Sequence, residues 1–274
     1  MNQKNKDPEV RFEFGANWNR FLSVLDETSI LEAVDSLKKA LNVTTLKNKS
    51  FLDAGSGSGL FSLAAYRLGA DRVYSFDYDP KSVACTEELK RRYFPNAKNW
   101  EIEQGSLLDK AYLDQLPAFD VTYSWGVLHH TGDMWRAMEN LVPKIEKNGI
   151  LFISIYNDQG LASRIWMKVK RLYNICPVPL RFLILIPCTV KLWGPITVWE
   201  FFKGTPFKKW REYAKKSRGM SAWHDVVDWV GGYPFEVAKP EQVFEFFYQR
   251  DFVLTQMATM AGGHGCNQFV FSRK

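Results

Sequence analysis

Three glycines occupy alternate positions directly after a short apolar run, in the stretch FLDAGSGSG at residues 51–59. Glycine tolerates backbone conformations that other residues avoid and allows a ligand to approach the main chain closely. A dinucleotide-binding turn has the spacing G-x-G-x-x-G, whereas Gly55, Gly57 and Gly59 give G-x-G-x-G. Such a turn still brings backbone N–H groups close to a ligand, and Asp53 just before it can accept hydrogen bonds from an ammonium group.

A carboxylate completes this candidate site. Asp77 ends the apolar stretch VYSFD, about 20 residues after the glycines, where a carboxylate can accept two hydrogen bonds from a ribose diol. Together, the turn and the acid predict a site for an adenosine that carries a short zwitterionic tail. Each signal has a structural alternative, because glycine turns often follow strands and an Asp at a strand end often caps the next helix.

Histidine is the side chain best suited to move a proton near neutral pH. His129 and His130 follow the apolar stretch FDVTYSWGVL, and we favour His130 as a base or a substrate contact. His224 lies beside Asp225 in the aromatic run RGMSAWHDVVDWVGGYPFE, and Tyr156 ends another apolar run, so both are further catalytic candidates. The structural alternatives are loop backbone contacts for the first pair and ordinary helix capping for His224.

Strands and helices alternate along the chain and would position these residues. Helical spacing covers residues 11–41, and apolar runs predict strands in KSFLDAG, DRVYSFDYD, WEIEQGS, FDVTYSWGV and GILFISIY. Strands separated by helices indicate a parallel sheet that is covered on both faces. The last two strands, FVLTQMAT and CNQFVFSR, are joined only by MAGGHG, which is too short for a parallel crossover. We therefore expect the last strand to be antiparallel.

A segment of different composition interrupts this pattern. Residues 158–238 hold 13 Lys and Arg against 6 Asp and Glu, together with six of the ten tryptophans. The rest of the chain has 23 basic against 24 acidic residues, so the net charge of +6 originates in this segment. Residues 178–202 are strongly apolar, but charged residues interrupt them and their three prolines are expected to break any helix, which argues against a membrane span.

The motifs together resemble those of class I S-adenosylmethionine-dependent methyltransferases, over residues 51–157 and 240–272. FLDAGSGSG resembles the family's first motif, FDYDP its acidic ribose motif, EQGSLLD its adenine-side motif and FDVTYSWGVLHH its fourth-strand motif. The VLHH segment is most similar to the small-molecule methylases of quinone biosynthesis. The resemblance implies a doubly wound, Rossmann-like α/β fold with a mostly parallel seven-stranded sheet and an antiparallel last strand. It also implies S-adenosylmethionine as cofactor and S-adenosylhomocysteine as product.

The resemblance further implies roles for individual residues. Gly55, Gly57 and Gly59 would line the methionine portion of the cofactor, and Asp77 would hold the ribose hydroxyls. Ser106 would border the adenine, at a position where the family more often has Asp. The other residues expected at the cofactor are Asp53, Tyr78, Leu107, Ser124, Trp125, Gly126, Phe14, Asn17 and Trp18, although the last three could equally belong to a helix that packs on the sheet.

These observations predict three regions. Residues 1–50 form an N-terminal helical cap, residues 51–157 and 239–274 form the cofactor-binding core, and residues 158–238 form an inserted aromatic and basic helical lid. Three interpretations of the insertion remain open: a lid that encloses an apolar or aromatic acceptor, a contact with an anionic membrane through residues 168–216, or a surface for a homodimer or for RNA.

The predicted activity is methyl transfer to a small organic acceptor, at an apolar or aromatic hydroxyl in preference to nitrogen, sulfur or carbon. The alternatives are an RNA methyltransferase, a membrane-surface protein with a lipid-like acceptor, and a cofactor-binding regulatory protein without turnover. Nucleic-acid amino groups are disfavoured because the sequence reads YSWG where such enzymes carry an NPPY-like motif.

Cysteine usage and the N-terminal sequence bear on the compartment. The four cysteines show no paired spacing, and residues 1–12 lack a signal-peptide core, which predicts a reduced, cytoplasmic protein with peripheral membrane contact left open. His264 and Cys266 lie close in sequence, but no four-ligand spacing accompanies them, so no metal is expected.

Overall fold

The computed structural model describes residues 10–12, 14, 15, 18, 22, 23, 25–216 and 222–274, with the backbone alone at 214–216 and 224. The described chain forms two compact units. The first holds residues 14–160 and Glu236–Lys274, and the second holds Leu161–Phe235 with residues 10–12. The predicted roles of residues 1–50 as a cap and of 158–238 as a lid stay predictions.

Ten helices are described, of which α6 to α9 belong to the second unit and the others to the first. Three short 3₁₀ turns lie at Leu128–His130, Val142–Lys144 and Val178–Leu180. The helices are α1 (Glu27–Leu41), α2 (Leu60–Arg67), α3 (Pro80–Tyr93), α4 (Lys110–Gln115), α5 (Met134–Leu141), α6 (Leu161–Ile175), α7 (Phe182–Phe202), α8 (Lys208–Lys216), α9 (Ala222–Gly231) and α10 (Pro240–Tyr248).

Helix starts in the first unit follow from single acidic residues. The side chains of Asp26, Asp79 and Asp109 accept hydrogen bonds from first-turn N–H groups of α1, α3 and α4. These bonds satisfy donors that a helix otherwise leaves without partners. Pro80 occupies the first turn of α3, where its missing N–H costs nothing.

A seven-stranded sheet forms the centre of the first unit. The strands are β1 (Ser50–Ala54), β2 (Arg72–Asp77), β3 (Trp100–Gln104), β4 (Phe119–Trp125), β5 (Ile145–Tyr156), β6 (Phe252–Ala258) and β7 (Cys266–Arg273). Their order is β3-β2-β1-β4-β5-β7-β6, and the pairs from β3 to β5 are parallel. β7 is antiparallel to both β5 and β6. The predicted Rossmann-like sheet with an antiparallel last strand is confirmed.

Helices cover both faces of this sheet. Phe51 and Leu52, neighbours on β1, belong to two different buried clusters because successive side chains point to opposite faces. The cluster of Phe51 includes Leu63 of α2, and that of Leu52 includes Met138 of α5 and Phe247 of α10. Burial on both faces explains why the strands of the sheet centre read as nearly continuous apolar runs.

The strand order reverses next to β1. The chain passes outward from β1 through β2 to β3 and then returns to the other side of β1 as β4. Ligands of open α/β sheets bind outside the carboxyl ends of the strands at such a reversal. The glycine turn after β1 and the segment after β4 both lie at this edge.

The second unit is helical and buries one lysine among aromatic rings. Lys170 of α6 is fully buried, and its Nζ lies 4.4 Å from the ring centroid of Trp229 and 4.8 Å from that of Phe235. The same ammonium group donates a hydrogen bond to the carbonyl oxygen of Trp229. Cation–π attraction and this bond offset the loss of water around the charge.

The expectation that prolines break any helix in residues 178–202 was wrong, because α7 continues through Pro187 and Pro195. A proline inside a helix removes one backbone hydrogen bond and costs about 3 kcal/mol. Both prolines are exposed, and so are Leu183 and Lys191 one turn before them. The residues whose carbonyl groups lose a donor are therefore exposed ones, and the helix extends over 21 residues.

Candidate cofactor and active site

The glycine turn after β1 has the backbone conformation that only glycine adopts easily. Gly55, Gly57 and Gly59 have φ values of +90°, +55° and +78°. The N–H groups of Gly55 and Ser56 donate to the carbonyl oxygen of Phe76 at 2.8 and 3.0 Å, which ties the turn to the end of β2. The turn is thus a fixed part of the sheet edge.

Close packing adds a second requirement for glycine at position 55. A Cβ atom there would lie 2.4 Å from Cγ1 of Val127, the residue after Gly126 at the end of β4. At position 59 a Cβ would lie 2.9 Å from Cα of Thr86. The turn therefore fits between the segments that follow β2 and β4 because it lacks side chains.

Replacing Gly55 by Ala should lower the free energy of unfolding by about 2–4 kcal/mol, because the positive φ and the contact with Val127 both oppose a side chain. Gly160 is the matched control, since it has φ +60° in the same unit with no atom within 4 Å of a Cβ. Gly160→Ala should cost about 1 kcal/mol from φ alone. Denaturant unfolding of both variants measures the difference, and equal losses would contradict the packing argument.

Asp77 joins the glycine turn to the segment after β2. Its Oδ2 accepts a hydrogen bond from the N–H of Gly57 at 2.9 Å, and its Oδ1 accepts one from the N–H of Asp79 at 2.9 Å. Burial raises the pKa of Asp77 to about 6, and the nearby charge of Asp79 adds to this, while the hydrogen bonds act against it. A carboxylate offers about four lone-pair sites, so it can still accept bonds from a diol.

Asp53 lies beneath the turn, inside the core. It is 2% exposed, and its Oδ2 accepts a hydrogen bond from Oγ of Ser62 on α2 at 2.5 Å. Ser62 Oγ also lies 2.8 Å from Oγ of Ser75 on β2. Burial, opposed by the Ser62 hydrogen bonds, raises the pKa of Asp53 to about 7. This carboxyl therefore links β1 to α2, and its predicted bond to an ammonium group stays a prediction.

The segment after β3 borders the same edge. The N–H of Gly105 donates to the carbonyl oxygen of Asp77 at 2.9 Å, which places the half-buried Ser106 close to the end of β2. Leu107 is buried, and its carbonyl oxygen accepts a hydrogen bond from the side chain of Asn140 at 2.9 Å. Tyr78 is largely exposed. Their predicted contacts with adenine and ribose remain predictions.

The end of β4 leaves open space beside the glycine turn. Ser124 is fully buried, and its hydroxyl donates to the carbonyl oxygen of Ala54 at 2.8 Å. The N–H of Gly126 donates to Oγ of Ser154 at 2.7 Å, and a Cβ on Gly126 would meet no atom within 4 Å. The hydroxyl of Ser124 thus holds β4 against β1, while Gly126 borders the space. Trp125 is half-buried against the cluster of Phe51, and its predicted contact with the cofactor stays a prediction.

Two histidines and a tyrosine form an aromatic cluster at the ends of β4 and β5. The rings of His129 and Tyr156 have centroids 3.9 Å apart, and those of His130 and Tyr156 are 5.4 Å apart. His129 is fully buried, whereas His130 and Tyr156 are half-buried. Phe14 completes the cluster with its ring 5.0 Å from that of His130. His130 is thus the accessible member of the predicted pair.

The described residues near the N-terminus pack on the same edge. The indole of Trp18 lies against Gly57, since a Cβ there would be 3.1 Å from its Cε2. The N–H of Gly15 donates to Oδ2 of Asp79 at 2.9 Å. Phe14 and Trp18 therefore both lie beside residues of the candidate site. Asn17 is outside the described residues.

Glu236 contributes a contact that the sequence interpretation missed. Its Oε2 accepts hydrogen bonds from the N–H groups of Gly132 and Met134, both at 3.0 Å, at the start of α5. Its own N–H donates to the carbonyl oxygen of His129 at 2.9 Å. Glu236 therefore positions the turn that carries both histidines. The sequence signal was weak, because a single acid before Pro240 has no distinctive spacing.

His224 lies on α9 of the second unit, and its side chain is outside the described residues, so its role as a base stays a prediction. In the part of the chain that the structure describes, no three His, Cys, Asp or Glu side chains form a group that could hold a metal ion.

A family model matches the part of the chain that carries the glycine turn. Residues 52–151 match the family model of a methyltransferase domain. This match covers β1 to β5, including the turn, Asp77 and the histidine pair. Over residues 52–151 the chain is thus similar to a methyltransferase domain in sequence.

Comparisons with individual proteins agree on this class. The ribosomal protein L11 methyltransferase of Acinetobacter baumannii (strain SDF) is 38% identical over 80 residues, or 29% of this chain and 23% of the relative. The protein of the same name from Prochlorococcus marinus (strain AS9601) is 28% identical over 158 residues, or 56% of this chain and 45% of the relative. The chain thus spans less than half the length of either relative.

A solved structure shows the same fold at low sequence identity. PKMT2 from Rickettsia typhi, in complex with AdoHcy, has a TM-score of 0.55 and 15% identity, over 88% of this chain and 52% of that chain. None of these three proteins bears on the predicted likeness to quinone-biosynthesis methylases.

Proposed function

We propose that this protein transfers a methyl group from S-adenosylmethionine to a hydroxyl group of a small apolar or aromatic acceptor. The observation that carries the proposal is the cluster of His130, Tyr156 and Phe14, two of them at the carboxyl ends of β4 and β5, on the strand edge that also bears the glycine turn. Ring faces suit an apolar acceptor, and an accessible imidazole can take a proton from a hydroxyl.

The glycine turn and Asp77 suit S-adenosylmethionine as the cofactor. The Gly55–Gly59 turn has positive φ at each of its glycines and a backbone fixed to β2, so a ligand can lie directly against it. Asp77 is held by two backbone N–H groups with lone pairs remaining for a ribose diol. Bound there, the cofactor would supply an electrophilic methyl group on a sulfonium.

The reaction is an in-line displacement, so the chain's main task is positioning, which can be worth about 7–11 kcal/mol. The acceptor oxygen would bond to the methyl carbon, and the cofactor would keep the electron pair of the broken carbon–sulfur bond on its sulfur. The hydroxyl proton passes to an imidazole nitrogen of His130. Phe14 and Tyr156 orient the acceptor and exclude water from this proton transfer.

A protein acceptor is the second candidate, because the two curated relatives are named as methyltransferases of ribosomal protein L11. The similarity spans at most 56% of this chain, and the family model matches residues 52–151, which hold the glycine turn and Asp77. Cofactor residues can be shared between enzymes with different acceptors. A small acceptor therefore remains our first proposal.

The test is a panel of acceptors with release of S-adenosylhomocysteine as the readout. We expect turnover with phenolic or other apolar hydroxyl compounds and none with their O-methylated analogues, which have lost the acceptor proton. Turnover with ribosomal protein L11 and with no small hydroxyl compound would overturn the proposal in favour of the second candidate.

A further inference from the structure

The second unit exposes the apolar side of a long helix. The segment Val178–Phe202 is long and apolar enough to cross a membrane, by length and composition alone. Only 6% of its most apolar 18-residue stretch is buried. Leu183, Ile186 and Val190 of α7 are 59%, 55% and 63% exposed. Their spacing of three and four residues places them on one side of the helix. An exposed apolar surface of this length marks a binding surface.

The exposed side of α6 adds positive charge among apolar residues. Leu161, Ile165 and Leu172 are exposed on this helix, and so are the basic residues between them. The spacing of three and four residues puts both kinds on the same side. The exposed basic residues of α6 are Arg164, Lys168 and Arg171.

Negative charge is absent from the sequence of this region. Residues 159–199 contain six Lys and Arg and no Asp or Glu. The next acid, Glu200, is 3% exposed and accepts a hydrogen bond from the N–H of Lys209 at 2.9 Å. The exposed sides of α6 and α7 therefore combine apolar side chains with basic ones.

The end of α7 has the composition of the membrane–water interface. Nζ of Lys203 lies 3.9 Å from the ring centroid of Trp199, and Nζ of Lys209 lies 5.5 Å from it. Phe201 and Phe202, which follow Trp199, are 70% and 84% exposed. Aromatic rings beside lysines are typical of protein segments at the level of lipid head groups.

We propose that the second unit binds the surface of an anionic lipid bilayer through the exposed sides of α6 and α7, with α7 lying in the plane of the membrane. The opposite side of α7 is already covered by protein, because Leu185 and Cys188 are buried. A helix that packs on one side against its own unit suits the interface, whereas a spanning helix would be apolar all round.

Other occupants fit this surface less well. A second copy of the chain would bring two surfaces of the same positive sign together, at a cost in like-charge repulsion. Single-stranded RNA is bound by stacking on aromatic rings, whereas the exposed middle of α7 carries the aliphatic residues Leu183, Ile186 and Val190. Lipid complements both the charge and the apolar side chains.

Flotation of the full chain with lipid vesicles tests the proposal without cofactor or acceptor, so its outcome is independent of the proposed function. The probes are vesicles of phosphatidylcholine alone and of phosphatidylcholine mixed with phosphatidylglycerol. We expect the protein to float with the mixed vesicles, to bind phosphatidylcholine at least about tenfold more weakly, and to be released by salt because the attraction is screened.

Charge reversal at chosen positions shows whether vesicle binding depends on the exposed side of α6 or only on the net charge of the protein. The triple variant Arg164→Glu, Lys168→Glu, Arg171→Glu should bind mixed vesicles about 100-fold more weakly, since it loses three surface cations. The matched control, with the same change in net charge, reverses three exposed lysines of the first unit: Lys39→Glu, Lys47→Glu, Lys147→Glu. We expect at least about 90% of its binding free energy to remain, because these lysines lie in the first unit.

A separate variant tests the contribution of apolar side chains to vesicle binding. Ile186→Ser with Val190→Ser removes exposed apolar side chains and should weaken binding about tenfold with an unchanged thermal unfolding midpoint.

No binding to either vesicle would overturn the proposal, and so would an equal loss in the control triple variant. Binding that ignores lipid charge and resists alkaline extraction would assign α7 to a span instead. A dimer that the Ser variant dissociates, in protein that binds no vesicle, would assign the surface to a second copy.

Discussion

Asp77→Ala is expected to weaken the binding of S-adenosylmethionine by about 10- to 100-fold, because hydrogen bonds to a charged group contribute about 1.5–3 kcal/mol. The carboxylate lies where a ribose diol would donate to it, and it also holds the N–H of Gly57 in the glycine turn at 2.9 Å. Its removal would take away both the ligand's acceptor and a support of the turn. Isothermal titration calorimetry of the variant measures the loss.

A matched control and a change of pH show whether the loss of affinity comes from the Asp77 carboxylate. Asp114→Ala removes an exposed Asp of the same unit, paired with Lys110 at 2.7 Å, and should leave the affinity within about twofold. The pKa of Asp77 is raised to about 6 by its burial, so the ionised acceptor is present above this pH and is lost as the pH falls through it. Cofactor affinity should therefore fall below pH about 6 in the wild type and stay flat in Asp77→Asn. An unchanged affinity in Asp77→Ala would remove this residue from the site.

His130→Ala is expected to lower kcat by about 100- to 10,000-fold, which is the usual contribution of a positioned general base. Its ring lies 5.0 Å from that of Phe14 and 5.4 Å from that of Tyr156, within the cluster that we propose to hold the acceptor. The affinity for S-adenosylmethionine should change by less than about twofold, since this residue acts on the acceptor and not on the cofactor. Steady-state kinetics with the best acceptor of the panel measures kcat, and calorimetry measures the affinity.

Other histidine changes show whether the effect belongs to this position. His264→Ala is the matched control, because His264 is an exposed histidine of the same unit in the turn between β6 and β7. We expect it to keep wild-type kcat within about twofold, in the range typical of surface substitutions. His130→Gln keeps a side chain that forms hydrogen bonds but cannot take up a proton near neutral pH, so it should lose nearly as much activity as His130→Ala. Full activity in His130→Gln would show that the imidazole is a contact and not a base.

The sheet could be predicted because each of its central strands carries a complete local signal. Burial on both faces makes β1, β4 and β5 read as apolar runs, and the short MAGGHG link between β6 and β7 permits only an antiparallel pair. The glycine turn could be predicted for the same reason, since alternate glycines at the end of a strand lie within a few residues of one another.

Contacts between distant parts of the chain could not be predicted. Glu236 caps α5 at the N–H of Met134, which is 102 residues away, and nothing in the local sequence indicates that pairing. The contact of Phe14 with His130 likewise joins two segments with no shared pattern. The hydrogen bond between the buried Asp53 and Ser62 depends on how α2 packs on β1, and residue types alone do not specify that packing.

The prolines of α7 failed as a signal because the rule for them assumes that a lost hydrogen bond cannot be replaced. Pro187 and Pro195 are exposed, and so are Leu183 and Lys191, the residues whose carbonyl groups lose a donor. The cost of about 3 kcal/mol for each proline is then one term against a helix of 21 residues.

The chain leaves and rejoins the first unit at neighbouring points. Asn157 and Ala238 form a parallel bridge, in which the N–H of Ala238 donates to the carbonyl oxygen of Tyr156 at 3.0 Å and the N–H of Asp158 donates to that of Ala238 at 3.2 Å. Residues Leu161–Phe235 of the second unit are thus an insertion in a single loop, whose two ends are joined by main-chain hydrogen bonds. An insertion of this kind can lengthen, shorten or change in sequence during evolution without a shift in the register of any strand.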